Sequence, residues 1–252
     1  MLFNKKNIKT KQKSSFLDNV KTFIIAVIIA LVIRTFLFEP FSIPSGSMKP
    51  TLLEGDYLFV SKYSYGFSRH SFPFSFPPFN GRIFGKFPER GDVAVFKYTN
   101  DTSIDYIKRI VGLPGDKIQI IQGNLFINGN KVLKKHKGKW RARDRNKVLQ
   151  TYDLYEEILF NGLLFEVLDA TPNGMLDNTD IYIVPEGHVF ALGDNRDQSS
   201  DSRILTQLGF IPFENLVGRA EIIFYSRDRF NSLWKFWHFP SSIRLDRIGK
   251  GI

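Results

Sequence analysis

The chain changes its hydrophobic rhythm once, near residue 39. Before that point VKTFIIAVIIALVIRTFLF (20–38) is apolar on every side. Its uninterrupted core, 23–33, is eleven residues, and with its flanks it reaches nineteen, about 28 Å as a helix and enough to span a bilayer. Lys21 and Arg34 fall where the two head-group layers would lie, and their stems let them snorkel. A soluble helix keeps a polar stripe, so an all-round apolar one fits lipid better. The charged start and short apolar core also suit a cleaved leader, but Arg34-Thr-Phe-Leu-Phe-Glu-Pro40 offers no Ala-x-Ala-like exit. The segment reads as a retained anchor. Lys5, Lys6, Lys9, Lys11 and Lys13 precede it and few basic residues follow, which places the N-terminus in the cytoplasm and everything after Glu39 on the outer side.

Past residue 39 short alternating runs appear at 57–60, 93–98, 117–121, 124–127, 163–168, 181–184, 188–192 and 220–225. Turn signals such as Glu-Gly-Asp, Pro-Gly-Asp and Asn-Gly-Asn separate them. This spacing predicts a mostly β domain, an antiparallel, barrel-like sheet, behind one transmembrane helix. The divisions are a basic tail (1–19), the anchor (20–38) and a β domain (39–252). Within the last, 131–150 is charged, poor in pattern, and read as an exposed excursion. The segment 67–87, FSRHSFPFSFPPFNGRIFGKF, has neither period. It is either a rigid loop packed on the domain or an aromatic cluster touching the bilayer. Trp234-Lys-Phe-Trp-His-Phe239 has the same ambiguity.

Composition narrows this picture. Of 252 residues 43% are hydrophobic and 25 are Phe, enough for a sizeable core. There is no cysteine, which removes disulfides, a thiol nucleophile and Cys-based metal sites. The net charge of +10 suits an anionic membrane surface. No nucleic-acid signature accompanies it, and a nucleic-acid partner is not expected.

Three stretches carry candidate chemistry. FEPFSIPSGSMKPTL (38–52) places Ser45 and Ser47 about a glycine in a turn-rich segment, most often only a turn. DYIKRIVGLPGD (105–116) puts Lys108 in a strand-like run, with Tyr106 on its face and Ile107 and Arg109 on the other; most such lysines are surface lysines. GDNRDQSSDSR (193–203) is a polar loop whose Asp194, Asp197 and Asp201 lack the full calcium-loop pattern, so neither metal nor cofactor is expected. His188 could join Asp194 in a Ser–His–Asp arrangement, but it sits most of a strand length away.

Taken in order behind an anchor, PSGSMKPTL, GDVAVFKY, DYIKRIVGLPGD and GDNRDQSSDSR resemble four signature blocks of bacterial type I signal peptidase, a Ser–Lys protease family. The resemblance implies an endopeptidase of the bacterial inner membrane that removes signal peptides from secretory preproteins. Ser47 matches the nucleophile and Lys108 the general base. Ser45 matches a hydroxyl that joins the Ser47 N–H in the oxyanion hole, and Ser199 a serine bonded to the lysine amine. Asp201 and Arg203 match a structural ion pair, and Arg109 follows the base as in the family. Phe41, Ile43, Met48, Leu52, Tyr106 and Ile107 match the lining of two shallow pockets for small residues at −1 and −3. The substrate would add as a strand along 41–43 and 105–107. Gln198 stands where the family usually has Asn.

The chemistry demands a neutral amine. A free lysine has a pKa of ~10.4, and burial lowers it by up to ~3–5 units. Ile107, Val111, Met48 and Leu52 are candidates for the apolar wall, and Asp105 and Asp194 must not pair with the amine. Two rivals remain: a cytosolic self-cleaving Ser–Lys repressor-type protease, against which the anchor argues, and an inactive membrane-tethered β binding protein.

Overall fold

The computed structural model describes residues 5–72, 75–143, 148–171, 173–228 and 242–252, with side chains from residue 16 onward except that of Arg143. The cluster at 234–239, the N-terminal lysine side chains and part of 131–150 lie outside what is described.

Helix α1 (Lys5–Phe36) is longer than the apolar run at its start and shorter at its end. Its apolar part, 21 residues from Phe16 to Phe36, is exposed apart from the buried Thr35, and at ~1.5 Å per residue it covers about 32 Å. The expected end at Phe38 is corrected. Leu37 closes the last helical turn on Ile33, and Phe38 opens strand β1 (Phe38–Ser42). Arg34 and Lys62 both hold Glu39 just past the helix, at 2.9 and 2.8 Å, so the chain leaves the helix at a fixed angle.

β2 (Asp56–Ser61), β3 (Val93–Lys97) and β4 (Asp105–Gly112) follow. Then come β5 (Lys117–Ile121), β6 (Asn124–Ile127), β7 (Asn130–Lys131), β8 (Leu133–Arg143), β9 (Leu149–Ile158) and β10 (Leu164–Asp169). β11 (Tyr182–Ile183), β12 (His188–Leu192), β13 (Ile211–Pro212) and β14 (Leu216–Ser226) complete the chain. Seven of these form one sheet in the order β1-β2-β14-β3-β4-β12-β13, curled into a half-barrel. Every pairing in it is antiparallel. β8–β10 form a second sheet and β5–β7 with β11 a third.

Alternation explains the first sheet. In β2, Leu58 and Val60 are buried while Tyr57 and Phe59 face outward, where they meet Phe224 and Tyr225 of β14. The inward residues join Ile43, Met48, Leu52, Val93, Val95, Ile107 and Ile223 in one apolar cluster. A second cluster, with Val111, Ile118 and Phe190, draws mainly on β5, β6, β10 and β12, and a third holds Phe96, Ile110 and Ala191.

The segment 131–150 differs from its reading as a patternless excursion. Most of its described residues are in strand β8, paired along its length with β9. None of the described side chains of β8 is buried, so apolar alternation is not required there. Charge across the strands replaces it: Lys137–Glu156 at 3.2 Å, Lys139–Asp153 at 2.6 Å, and Trp140 against Tyr152.

The described part of the 67–87 loop is packed on the domain at some of its phenylalanines and exposed at others. Phe67 and Phe72 pack edge-on against Phe36 of the anchor and Phe87 stacks on Phe213, while Phe76 and Phe84 stay exposed.

The C-terminal segment closes the domain from behind. Arg247 grips the buried Asp56 carboxylate at 2.6 Å and donates to Thr51 O at 2.9 Å, and Ile252 packs on the first apolar cluster. Removing one partner of a buried pair leaves an uncompensated charge. Arg247→Ala is expected to cost about 3 kcal/mol, read as a lower thermal midpoint; an unchanged midpoint contradicts this role.

Candidate active site

Ser47 sits in the loop between β1 and β2, pinned from several directions. Ile43 and Asp56 pair at its base, and Leu53 N–H caps Asp56 at 2.7 Å. Asn195 binds the turn itself: its N–H donates to Ser47 O and its side-chain amide to Gly46 O, both at 3.0 Å. Ser47 is 8% exposed, and Met48 and Leu52 just after it are fully buried.

β4 brings Lys108 to this turn from the middle of the sheet. Covered on both faces, Lys108 is 3% exposed. Its Nζ lies 2.8 Å from Ser47 Oγ and 3.0 Å from Ile107 O, with the Tyr106 ring centroid at 5.3 Å. Burial lowers its pKa from the ordinary 10.5 to about 8, against an upward pull from Asp201 and Asp194. Neither carboxylate bonds to the amine. Arg109 takes Asp194 in a two-bond clasp at 2.9 and 2.7 Å, and Arg203 takes Asp201 at 2.8 and 2.9 Å. Burial alone would raise the Asp201 carboxyl, but Arg203 outweighs it and holds it below its usual range. A pKa near 8 leaves about a tenth of the amine neutral at pH 7, against well under a thousandth for a free lysine.

The 193–203 loop closes the site. Asp194 accepts from Thr51 Oγ1 at 2.5 Å, tying the Ser47 loop to β4. Asp201 accepts from Gly193 N–H at 3.0 Å. No room exists at Gly193, where an added Cβ would lie 2.2 Å from Ser199 Oγ and 2.6 Å from Ser47 O. Arg196 reaches back to Glu157 on β9.

Most sequence candidates converge here, with two corrections, at Ser199 and Val111. Ser199 is buried beside the turn, but its Oγ makes no hydrogen bond to Lys108, whose two bonds go to Ser47 and Ile107 O. Val111 does not belong to the apolar cluster around Ser47 and lies in the second cluster. Among the pocket residues, Phe41, Ile43, Met48, Leu52 and Ile107 share one cluster, while Tyr106 packs with the third, stacked on Phe96 and Tyr98. Ser45 Oγ is 3.4 Å from Ser47 Oγ. The Ser47 N–H donates to none of the described residues.

Among the described residues no histidine enters the site. His188 bonds Glu186 O at 2.9 Å and pairs with Pro212 at the far end of β12. His70 contacts Ser75 and His136 contacts Asp153. The sequence reading missed the Thr51 and Asn195 contacts and the Arg196–Glu157 and Arg247–Asp56 pairs. The alternating Asp and Arg of 193–203 is the signal for those in the loop.

A buried serine beside a lysine of depressed pKa, on an antiparallel β domain behind an apolar helix, defines a serine hydrolase of the Ser–Lys class. The description of signal peptidases, peptidase S26, matches residues 16–225. Signal peptidase I of Rickettsia typhi (strain Wilmington) is 42% identical over 260 residues, covering 96% of this chain and 96% of that one. Signal peptidase I of Rickettsia akari (strain Hartford) is 47% identical over 243 residues, covering 90% and 89%. A solved signal peptidase I from Enterococcus faecalis V583 is 25% identical over 53% of this chain and 97% of that one, with a TM-score of 0.31. The chain belongs to the signal peptidase I family.

The buried amine also has a stability signature. Because the unfolded lysine binds its proton more tightly, stability rises with pH between about 8 and 10.5. Lys108→Met removes that cost and is expected to stabilise the fold at pH 7 by up to about 3 kcal/mol while flattening this rise. Denaturant unfolding at pH 7 and 10 reads both, and a destabilised variant contradicts the desolvated amine.

Proposed function

We propose that Ser47 is the nucleophile and Lys108 the general base of this signal peptidase. As a family member the chain is a membrane-bound endopeptidase that removes signal peptides from secretory preproteins through a Ser–Lys dyad. The observation that carries the residue assignment is the 2.8 Å approach of a buried lysine amine to Ser47 Oγ.

The neutral amine takes the Ser47 proton as Oγ attacks the scissile carbonyl. The resulting oxyanion is met by the Ser47 N–H and the Ser45 hydroxyl, a type of contact worth ~3–4 kcal/mol in the transition state. The ammonium then gives its proton to the departing amine, which leaves an ester on Ser47. Water attacks this ester with the amine again as base, releasing the signal peptide and restoring the hydroxyl. Ser199, Asp201 and Arg203 support the loop against the turn.

Substrate enters as an added strand. β1 pairs with β2 alone, and in β4 the pairing with β12 begins only at Arg109. Residues 41–43 and 105–107 thus keep unpaired edges beside the shared cluster of Ile43 and Ile107. Ile43, Met48, Leu52 and Ile107 fill the floor, with Phe41 and Tyr106 at the walls. Steric rejection then limits the −1 and −3 side chains to small ones. β1 begins two residues after the anchor ends, which sets Ser47 near the outer surface of the inner membrane, with the N-terminus in the cytoplasm.

Ser47→Ala and Lys108→Ala are each expected to lower kcat/KM on a preprotein peptide by about 10⁴-fold or more. In the wild type, kcat/KM rises with pH and levels near pH 8, the Lys108 value. Replacing Ala by Leu at −1 lowers it by about 100-fold. Cleavage that survives Lys108→Ala, or a profile that levels near pH 6.5, overturns the assignment.

A further inference from the structure

A cavity of about 190 Å³ separate from the floor described above also opens at Ser47, and none of that apolar floor lines it. Its walls come from Ser45 and Ser47 in the turn, Lys49 and Glu54 in the same loop, Tyr152 on β9 and Gln198 in the 193–203 loop. The far wall is braced. Tyr152 OH donates to Gln198 Oε1 at 3.0 Å. The Asn195 amide donates to the same oxygen at 3.3 Å and to Gly46 O at 3.0 Å. The hairpin is therefore bonded through two side chains to the turn that carries Ser47.

Lys49 is the unsettled group in this cavity. Its side chain is 12% exposed, and among the described residues its ion-pair partner is Glu54, 3.9 Å away. An added Cβ on Gly46 would lie 2.9 Å from its Nζ, so the ammonium rests over the Ser45–Ser47 turn. It donates no hydrogen bond to any described residue. An ammonium carries three donors; one largely withdrawn from water, with only a loose ion pair among the described residues, gains from an acceptor that enters the cavity.

We infer that this cavity receives the first one or two substrate residues downstream of the scissile bond, and that Lys49 there favours an acidic side chain. The inference rests on the reading of Ser47 as nucleophile. A chain whose scissile carbonyl sits at Ser47, with its upstream residues against the apolar floor, leaves away from that floor. At ~3.3 Å per extended residue, one or two residues bring a side chain to Lys49. The Tyr152–Gln198 brace makes the long hairpin a wall of this subsite.

The test uses the full chain in detergent micelles and preprotein peptides identical upstream, with Asp, Ser or Lys at the first or second downstream position. The wild type is expected to cleave the Asp peptide about 5- to 10-fold better than the Lys peptide by kcat/KM, with the ratio shrinking as salt rises. Lys49→Met removes the ratio and Lys49→Glu inverts it. A peptide aldehyde ending at the −1 residue lacks the downstream part, so it should inhibit the wild type and both variants equally. A ratio unchanged in Lys49→Met overturns the inference. So does aldehyde affinity falling in step with all three peptides, since Lys49 would then act only on the turn. Cleavage that survives Ser47→Ala would instead remove the reading of the nucleophile on which the subsite depends.

Discussion

A lysine can accept a serine proton only when it is itself uncharged, and that condition governs how the middle of this molecule is built. Burial supplies the neutral amine: Lys108 lies on a central strand covered on both faces. Two carboxylates within electrostatic reach work against it. Left free, either Asp194 or Asp201 would hold the proton on the lysine. Each is instead clasped by its own buried arginine. A bidentate guanidinium–carboxylate pair satisfies both groups and keeps the carboxylate turned away from the amine. Buried pairs of this kind are weak evidence for net stability. With both carboxylates held by arginines, burial carries the Lys108 amine down to about 8 against their upward pull.

The same two pairs also set positions. Through Asp194, Arg109 on β4 reaches Thr51 in the nucleophile loop. Since Arg109 follows Lys108 directly, base and nucleophile loop share one anchor. Through Asp201, Arg203 fixes Gly193, against which Ser47 O and Ser199 pack too closely for any side chain. Asp56 and Arg247 play the corresponding part behind the loop. The loop that carries Ser47 is therefore held from β4, from the 193–203 loop and from the C-terminal segment, although it has no regular secondary structure. Such over-determination keeps a reactive hydroxyl and an amine at bonding distance.

Much of this was legible in the sequence, for identifiable reasons. Strands with one buried face announce themselves by alternation, and β2, β5, β6 and β12 fall within a residue of where the pattern placed them. β8 and β9 did not, because β8 has no buried face and the pair is held by cross-strand charge and aromatic contacts that leave no period. The anchor was plain from its apolar run, but its end was misplaced by two residues, since Leu37 and Phe38 suit a strand as well as lipid. At the site, Ser47 and Lys108 came from recognisable stretches. The Ser199 contact did not follow, because hydroxyl orientation is decided by packing against Gly193. Thr51, Asn195 and Arg247 reach the site across long sequence separations that one sequence cannot reveal.

The most direct test of the central claim is the titration of the Lys108 amine itself. Lysine Cε resonances of the full chain in micelles, labelled with ¹³C and compared between wild type and Lys108→Met, isolate that one signal. The account predicts a titration midpoint near 8. A midpoint at the free-lysine value of about 10.4 would mean a charged amine at neutral pH and would contradict the account.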